Sequence, residues 1–257
     1  MRVVRTRCDV VTGLRWAGLS DRGRVRARNE DRWSVDVDLG LFIVSDGMGG
    51  RPAGEVASEL VVATLPTLVA THFGPAPDLV AQDAPQRLCL ALTEFSADLR
   101  DGSRDTPRLA GMGATAVVAL VSHATALIAH VGDSRAYLWR EHSLHRLTRD
   151  HSLAQALVDA GAITDQQAAD HPARGQLTRY IGMVGEALPD ARRVTLRPDD
   201  RLLLCSDGLT AMLDDARIQA VLHGCPDPHH ACRALVGAAN DAGGTDNITV
   251  LVLVPSA

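Results

Sequence analysis

The sequence predicts an α+β fold of layered antiparallel sheets and helices, and two observations carry that prediction. Short runs rich in Val, Leu and Ile come in adjacent pairs with tight connections, as hairpin strands do. Helical spacing appears in groups between them, without the regular strand–helix alternation of a parallel sheet.

Strands are expected at 33–37, 41–45, 115–121, 125–131, 135–139, 201–205 and 248–254, each bounded by Gly, Asp, Ser or Pro. Over 55–73, Val56, Leu60, Val61, Leu65 and Leu68 recur at helical intervals. Pro66, lacking an amide hydrogen, is expected to kink or end that helix. A second helix over 85–100 starts on proline and repeats Leu88, Leu92, Phe95 and Leu99. Thr164 and Gln167 have the spacing of a capping box opening a short helix. Two late helices follow at 215–222 and 228–240. The Gly- and Pro-rich segments 74–85 and 101–109 read as surface loops of one domain spanning 1–257, with a core over about 12–255.

A chain of 257 residues, 46% hydrophobic and 22% charged, is long enough to bury a sizeable core. Its net charge of −5 argues against a general affinity for nucleic acid, and 3% aromatic content against a base-stacking platform. All 26 basic residues are arginine. Five cysteines (Cys8, Cys89, Cys205, Cys225, Cys232), with no C-x-x-C pair, suit a reducing interior. The N-terminus lacks the apolar core of a signal peptide, and no apolar run is expected to reach the roughly 20 residues of a membrane helix. A soluble, cytoplasmic protein is therefore expected.

Four aspartates share one kind of position, at an end of an apolar strand: Asp46 in "LFIVSDGMGG", Asp133 in "HVGDSRAYL", Asp207 in "LLLCSDGL" and Asp246 in "GGTDNITVLVLV". Gly47, Gly132, Gly208, Gly243 and Gly244 accompany them, and glycine lets a backbone carbonyl approach a ligand. A single Ser-Asp-Gly after a strand is ordinarily a turn. Two copies plus two further strand-end aspartates point to a shared site. Packed carboxylates need a cation, and carboxylate with carbonyl oxygen is the hard donor set of Mg²⁺ or Mn²⁺. Upstream, "SDRGRVRARNEDRW" places four arginines ahead of Asn29, Glu30 and Asp31. Such a loop is either a solvated charged surface or a phosphate site, since a guanidinium fork matches phosphoryl oxygens. Glu30 and Asp31 are candidates for outer contacts to the metals. "HGCPDPHHAC", 223–232, invites a zinc reading but lacks paired ligand spacing; it reads better as a loop entering the last helix.

These stretches carry a resemblance. G-x-V-R-x-x-N-E-D at 23–31, "DGMGG" at 46–50 followed by "AGEVAS", and "GMGATAVVAL" at 111–120 come first. "HVGDSRAYL" at 130–138, "LTRDHSL" at 147–153, "SDGL" at 206–209 and "DNITV" at 246–250 complete the order. The chain resembles the metal-dependent, type 2C family of serine/threonine protein phosphatases in its bacterial form, over essentially its whole length.

The resemblance implies a four-layer αββα sandwich, two antiparallel sheets flanked by helix pairs, with a metal centre in the cleft at one end. It implies two Mn²⁺ or Mg²⁺ ions bridged by Asp46, with Asp207 and Asp246 completing the first site and the Gly47 carbonyl serving the second. Glu30 acts there through water, Asp133 with Asp207 forms a weaker third site, and Arg26 binds the phosphate. The implied reaction is in-line attack of a metal-bridging hydroxide on phosphoserine or phosphothreonine, without a phosphoenzyme, opposing a bacterial Ser/Thr kinase. Implied partners are phosphoproteins, including such a kinase or its substrates, bound by a monomer. Two departures stand out. Met48 replaces the histidine that eukaryotic relatives often carry, and Gly175, in a flap over about 151–182, leaves only a carbonyl for the third metal. His151 is expected to organise that flap, and His171 is a candidate substrate contact. Competing readings are a phosphoprotein-binding pseudophosphatase and a phosphatase of small phosphoesters.

Overall fold

The apolar runs are continuous rather than alternating because their strands are covered on both faces. In the computed structural model, which describes residues 3–9, 13–48, 52–103, 109 and 111–255, the strand β4 (Leu41–Ser45) is buried throughout. Its Leu41 and Ile43 face helices, while Phe42 and Val44 face a second sheet. Gly49, Gly50 and much of the 101–109 loop, along with the Cys8 side chain, lie outside the described residues.

Along the chain the strands are β1 (Val3–Asp9), β2 (Leu14–Asp21), β3 (Arg32–Asp36), β4, β5 (Gly47–Met48), β6 (Gly113–Ala114) and β7 (Ala116–Ser122). There follow β8 (Thr125–Val131), β9 (Arg135–Arg140), β10 (Ser143–Arg146), β11 (Asp190–Thr195), β12 (Arg201–Cys205) and β13 (Ile248–Pro255). One sheet has the order β11-β8-β7-β4-β3 and the other β1-β2-β13-β12-β9-β10, while β5 and β6 form a short separate ladder. Helices α1 (Pro52–Phe73) and α2 (Ala84–Ser103) cover the first sheet. Helices α6 (Asp215–Gly224) and α7 (Pro228–Asp241) cover the second. The result is the expected αββα sandwich, with α3 (Leu153–Asp159), α4 (Asp165–Ala169) and α5 (Asp207–Thr210) in its connections.

Three expectations need correcting. Helix α1 does not end at Pro66; it runs seven residues further, to Phe73. Proline leaves the carbonyl four residues back without its helical donor, and that carbonyl, Val62 O, accepts the Ser34 hydroxyl at 3.4 Å. The span Ala53–Phe73, with a mean hydropathy of 1.4, is long and apolar enough to cross a membrane, contrary to expectation. Ala53, Ala57, Val61, Leu65, Val69 and Phe73 form a stripe buried against α2 and the sheet, the pattern of an outer-layer helix packed by one face on the core. Strands β1, β2, β5, β6, β10 and β11 lie outside the expected runs. Of these, β1, β10 and β11 are edge strands, the last two largely polar and exposed. Strands β5 and β6 have two residues each, and the largely buried β2 (LRWAGLSD) has no continuous aliphatic run.

Topology sets up the site. Both β4 and β8 run antiparallel to β7, so their C-terminal ends share one edge of the sheet. In the other sheet β13 is antiparallel to β12, which puts the start of β13 beside the end of β12. The four strand-end aspartates occupy those ends.

Candidate active site

Asp46, Asp133, Asp207 and Asp246 converge, and with Arg26, Glu30 and Gly47 they line one cleft of about 620 Å³. Asp46 sits at the bend between β4 and β5. Its amide donates to Thr115 Oγ1 at 3.0 Å, and its carbonyl accepts the Thr115 amide at 2.8 Å. The Thr115 hydroxyl lies 2.6 Å from Ser134 Oγ, so the bend is held from both sides.

Glycine is required after both aspartates by close backbone approach. A Cβ on Gly47 would meet Gly54 O at 2.1 Å, and one on Gly208 would meet Asn247 O at 1.9 Å. A Cβ on Gly54 would in turn lie 2.9 Å from both the Gly47 carbonyl oxygen and Glu30 Oε2, which brings those two expected ligand oxygens together at the start of α1.

The carboxyls are out of balance electrically. Burial, then repulsion from Asp31, Asp207 and Asp133, holds Asp46 well above the usual carboxylate range. Burial and Asp207 do the same to Asp133, and burial and Asp246 raise Asp207. Beneath them lies Asp31, which burial pushes up to about 7; its Oδ2 accepts from Ser206 Oγ at 2.7 Å. Asp207 Oδ1 is buried with no hydrogen-bond partner. Buried acceptor oxygens in excess of donors are the complement of a hard divalent cation, and the described lining residues include no histidine or cysteine. The residues therefore fit Mg²⁺ or Mn²⁺.

Arg26 reaches the cleft, where its Nη2 donates to Asp246 Oδ2 at 2.6 Å, and its side chain stays 56% exposed. The structure thus pairs the expected phosphate-binding arginine with an expected metal ligand. Asn247, overlooked in the sequence, holds this arrangement together. Its Oδ1 accepts the Glu30 amide at 2.8 Å, and its Nδ2 donates to Arg22 O at 2.9 Å and Arg28 O at 2.8 Å. An asparagine directly after a strand-start aspartate in "DNITV" was the available signal.

Gly175 and Leu177 bring the flap segment to the same cleft, and a Cβ on Gly175 would meet nothing within 4 Å. At the flap's root, the buried His151 accepts the Gly132 amide on Nδ1 at 3.2 Å, which leaves Nε2 the proton for Asp190 Oδ2 at 3.0 Å. His151 O accepts the Thr178 amide at 2.8 Å, and the ring stacks on His130 at 4.5 Å. His151 therefore ties the flap to the turn that carries Asp133, as an organiser rather than a reacting group. His171 does not line the cleft; its Nδ1 accepts the Ala173 amide of its own loop at 3.1 Å. In the 223–232 segment Asp227, His229 and His230 bring ligand atoms within 4.8 Å. Asp227, however, caps α7 through the His230 amide, and buried Cys232 donates to Ala17 O at 3.2 Å. That segment is the helix entry the sequence suggests.

Comparison with known proteins agrees with the geometry. The family model described as protein phosphatase 2C matches residues 21–232. Serine/threonine phosphatase stp of Listeria monocytogenes serotype 4b is 37% identical over 91% of this chain and 93% of its own. Serine/threonine protein phosphatase PstP of Mycobacterium tuberculosis is 39% identical over 93% of this chain and 44% of its own length. The crystal structure of M. tuberculosis PstP/Ppp superposes with a TM-score of 0.83 at 36% identity, covering 95% of this chain and 99% of that one. The PstP catalytic domain in complex with two manganese ions gives 0.78 at 35% identity, covering 94% and 97%. By its sequence, its sandwich and its carboxylate cleft, the chain belongs to the protein phosphatase 2C family.

Proposed function

We propose that this cleft hydrolyses phosphoserine and phosphothreonine in proteins with the help of two Mn²⁺ or Mg²⁺ ions. Asp46, Asp207 and Asp246 would hold one ion. Asp46 and the Gly47 carbonyl, with Glu30 through water, would hold the second, and Asp133 with Asp207 the weaker third. The convergence of four strand-end aspartates with an unpartnered Asp207 oxygen carries this reading. When bound, such ions supply Lewis acidity and a water acidic enough to attack phosphorus near neutral pH.

The chain's own residues orient and bind. Thr115 fixes Asp46 through its backbone, and Asn247 fixes the loop bearing Arg26 and Glu30. Arg26 exchanges Asp246 for the phosphoryl oxygens, which a guanidinium fork binds in a bidentate way. No cysteine is among the described lining residues, which removes a thiol nucleophile, and in this reading, as the family resemblance implies, water attacks without a phosphoenzyme. Met48 lines the cleft but its thioether has no proton to give, so the leaving alkoxide is protonated by water.

Strand ends of both sheets supply the carboxylates of this one cleft, which supports a single phosphatase domain over 1–257. The four described cysteines are free, which supports a reducing, cytoplasmic setting, where the natural opponent is a Ser/Thr kinase. Steady-state kinetics on a phosphothreonine peptide test the reading. Asp207→Asn is expected to lower kcat at least about a thousandfold in a folded protein, and Arg26→Ala to raise KM. Unchanged hydrolysis by Asp207→Asn would refute the metal assignment.

A further inference from the structure

The phosphatase reading uses Arg26 and leaves Arg22, Arg24 and Arg28 without a task. All three are exposed, and among the described residues none of them makes an ion pair, Arg22 Nη1 donating only to the Ala27 carbonyl at 3.3 Å. They are not on a floppy loop. Asn247 clamps the loop at Arg22 O and Arg28 O, and the Arg24 amide donates to Gly244 O at 2.7 Å. Gly23, at φ +79, packs so closely that a Cβ would lie 2.1 Å from Asp246 O. The guanidiniums are thus carried on a scaffold fixed directly to the metal cleft.

These arginines line a cavity of about 1070 Å³ that adjoins the cleft across the shared residues Ala27 and Arg28. Its acidic members have partners, though Asp31 Oδ1 is buried without one. Arg32 pairs with Glu55 at 2.8 Å, Asp21 accepts from Gly23 and Asn240, and Asp31 accepts from Ser206. What the cavity wall offers a ligand is cationic, since Arg22, Arg24 and Arg28 line it and are exposed. Val25, 68% exposed, adds an apolar contact on the same loop. Across the cleft the neighbouring cavity under the flap is net acidic, with exposed Asp165, Asp170 and Asp214 outnumbering the exposed Arg174 in its lining.

Resting on the phosphatase reading, we infer that Arg22, Arg24 and Arg28 form a specificity surface for aspartate and glutamate side chains flanking the phosphoresidue of a protein substrate. The opposed charge of the two rims directs an acidic flank to the arginine side and repels it from the flap side. Three exposed charge pairs, each modest alone, add up to about a tenfold preference.

The test uses the full chain with added Mn²⁺ and three phosphothreonine peptides, flanked by acidic, neutral or basic residues, beside a small aryl phosphate. The wild type should favour the acidic peptide over the neutral one by about tenfold in kcat/KM, through KM, with the gap narrowing as salt rises. The double variant Arg22→Ala, Arg24→Ala, which leaves the cleft-lining Arg28 in place, should lose most of that preference while its turnover of the neutral peptide and the aryl phosphate holds. Equal rates on all peptides in a wild type that turns over the aryl phosphate overturn the specificity surface and leave the phosphatase reading standing. An equal loss on acidic and neutral peptides in the variant overturns it too. If no phosphosubstrate is hydrolysed, the phosphatase reading fails instead, and fluorescence anisotropy of the same peptides decides whether the arginines select the acidic one.

Discussion

Two clusters of buried charge adjoin each other beneath the flap, and their carboxyls behave in opposite ways. Asp150 accepts from Arg135 Nε at 3.0 Å and Nη2 at 2.7 Å, and Arg146 also pairs with it. Burial alone would raise Asp150, but these guanidiniums outweigh it and hold its carboxyl below the usual range. Asp46, Asp133 and Asp207 have no such partners and are all pushed up. Where the charge serves structure the fold supplies its own cation. Where a ligand has to enter, Asp46, Asp133 and Asp207 have no guanidinium hydrogen-bonded to them, and Arg26 pairs with Asp246 alone.

That contrast breaks most visibly at Arg135. Its Nη1 also donates to Tyr137 OH at 3.0 Å, and Tyr137 OH donates to Asp215 Oδ1 at 3.0 Å, so Arg135→Ala strips a buried network. A loss of about 3–5 kcal/mol in denaturant unfolding is expected. Because the folded pKa of Asp150 is depressed, its contribution is present above the ordinary carboxylate pKa and lost as pH falls through the folded value. The gap between wild type and Arg135→Ala should accordingly close in acid. A gap that persists there would mean packing, not charge, is at stake.

Truncating Asn247 tests the scaffold between the clusters. Asn247→Ala leaves the Glu30 amide and the Arg22 and Arg28 carbonyls without partners, at an expected cost of about 1–3 kcal/mol with a fall in kcat/KM. Stability and kinetics both at wild-type level would remove Asn247 from the account. The smallest effect has the opposite sign to that of Arg135→Ala. Asp46→Asn relieves repulsion and should raise the stability of cation-free protein by about 1 kcal/mol. The same variant should lose the rise in Tm that Mn²⁺ gives the wild type. A destabilised Asp46→Asn that still gains from Mn²⁺ would place the ion elsewhere.

How far the sequence reveals all this depends on the kind of contact. Asp46 and Asp207 are legible because each interrupts a fully buried run, and a carboxylate at the mouth of such a strand needs a reason. Gly47 and Gly208 follow from the same device. Thr115 and the burial of Asp31 under Ser206 are not legible, and for Asn247 the motif marks the residue but not its partners, since each acts on backbone or side-chain atoms more than 60 residues away in the chain. Pro66 misled for a related reason, because the Ser34 hydroxyl that meets its orphaned carbonyl comes from another layer. The pairing of Arg26 with Asp246 spans 220 positions and likewise appears only in the fold.

The most direct test of the central claim is hydrolysis of a phosphothreonine peptide by chelator-stripped protein, with single divalent ions returned. The account predicts silence without ions and turnover restored by Mn²⁺ or Mg²⁺. Full turnover without any divalent ion, or silence with Mn²⁺ and Mg²⁺ in a folded sample, would contradict it.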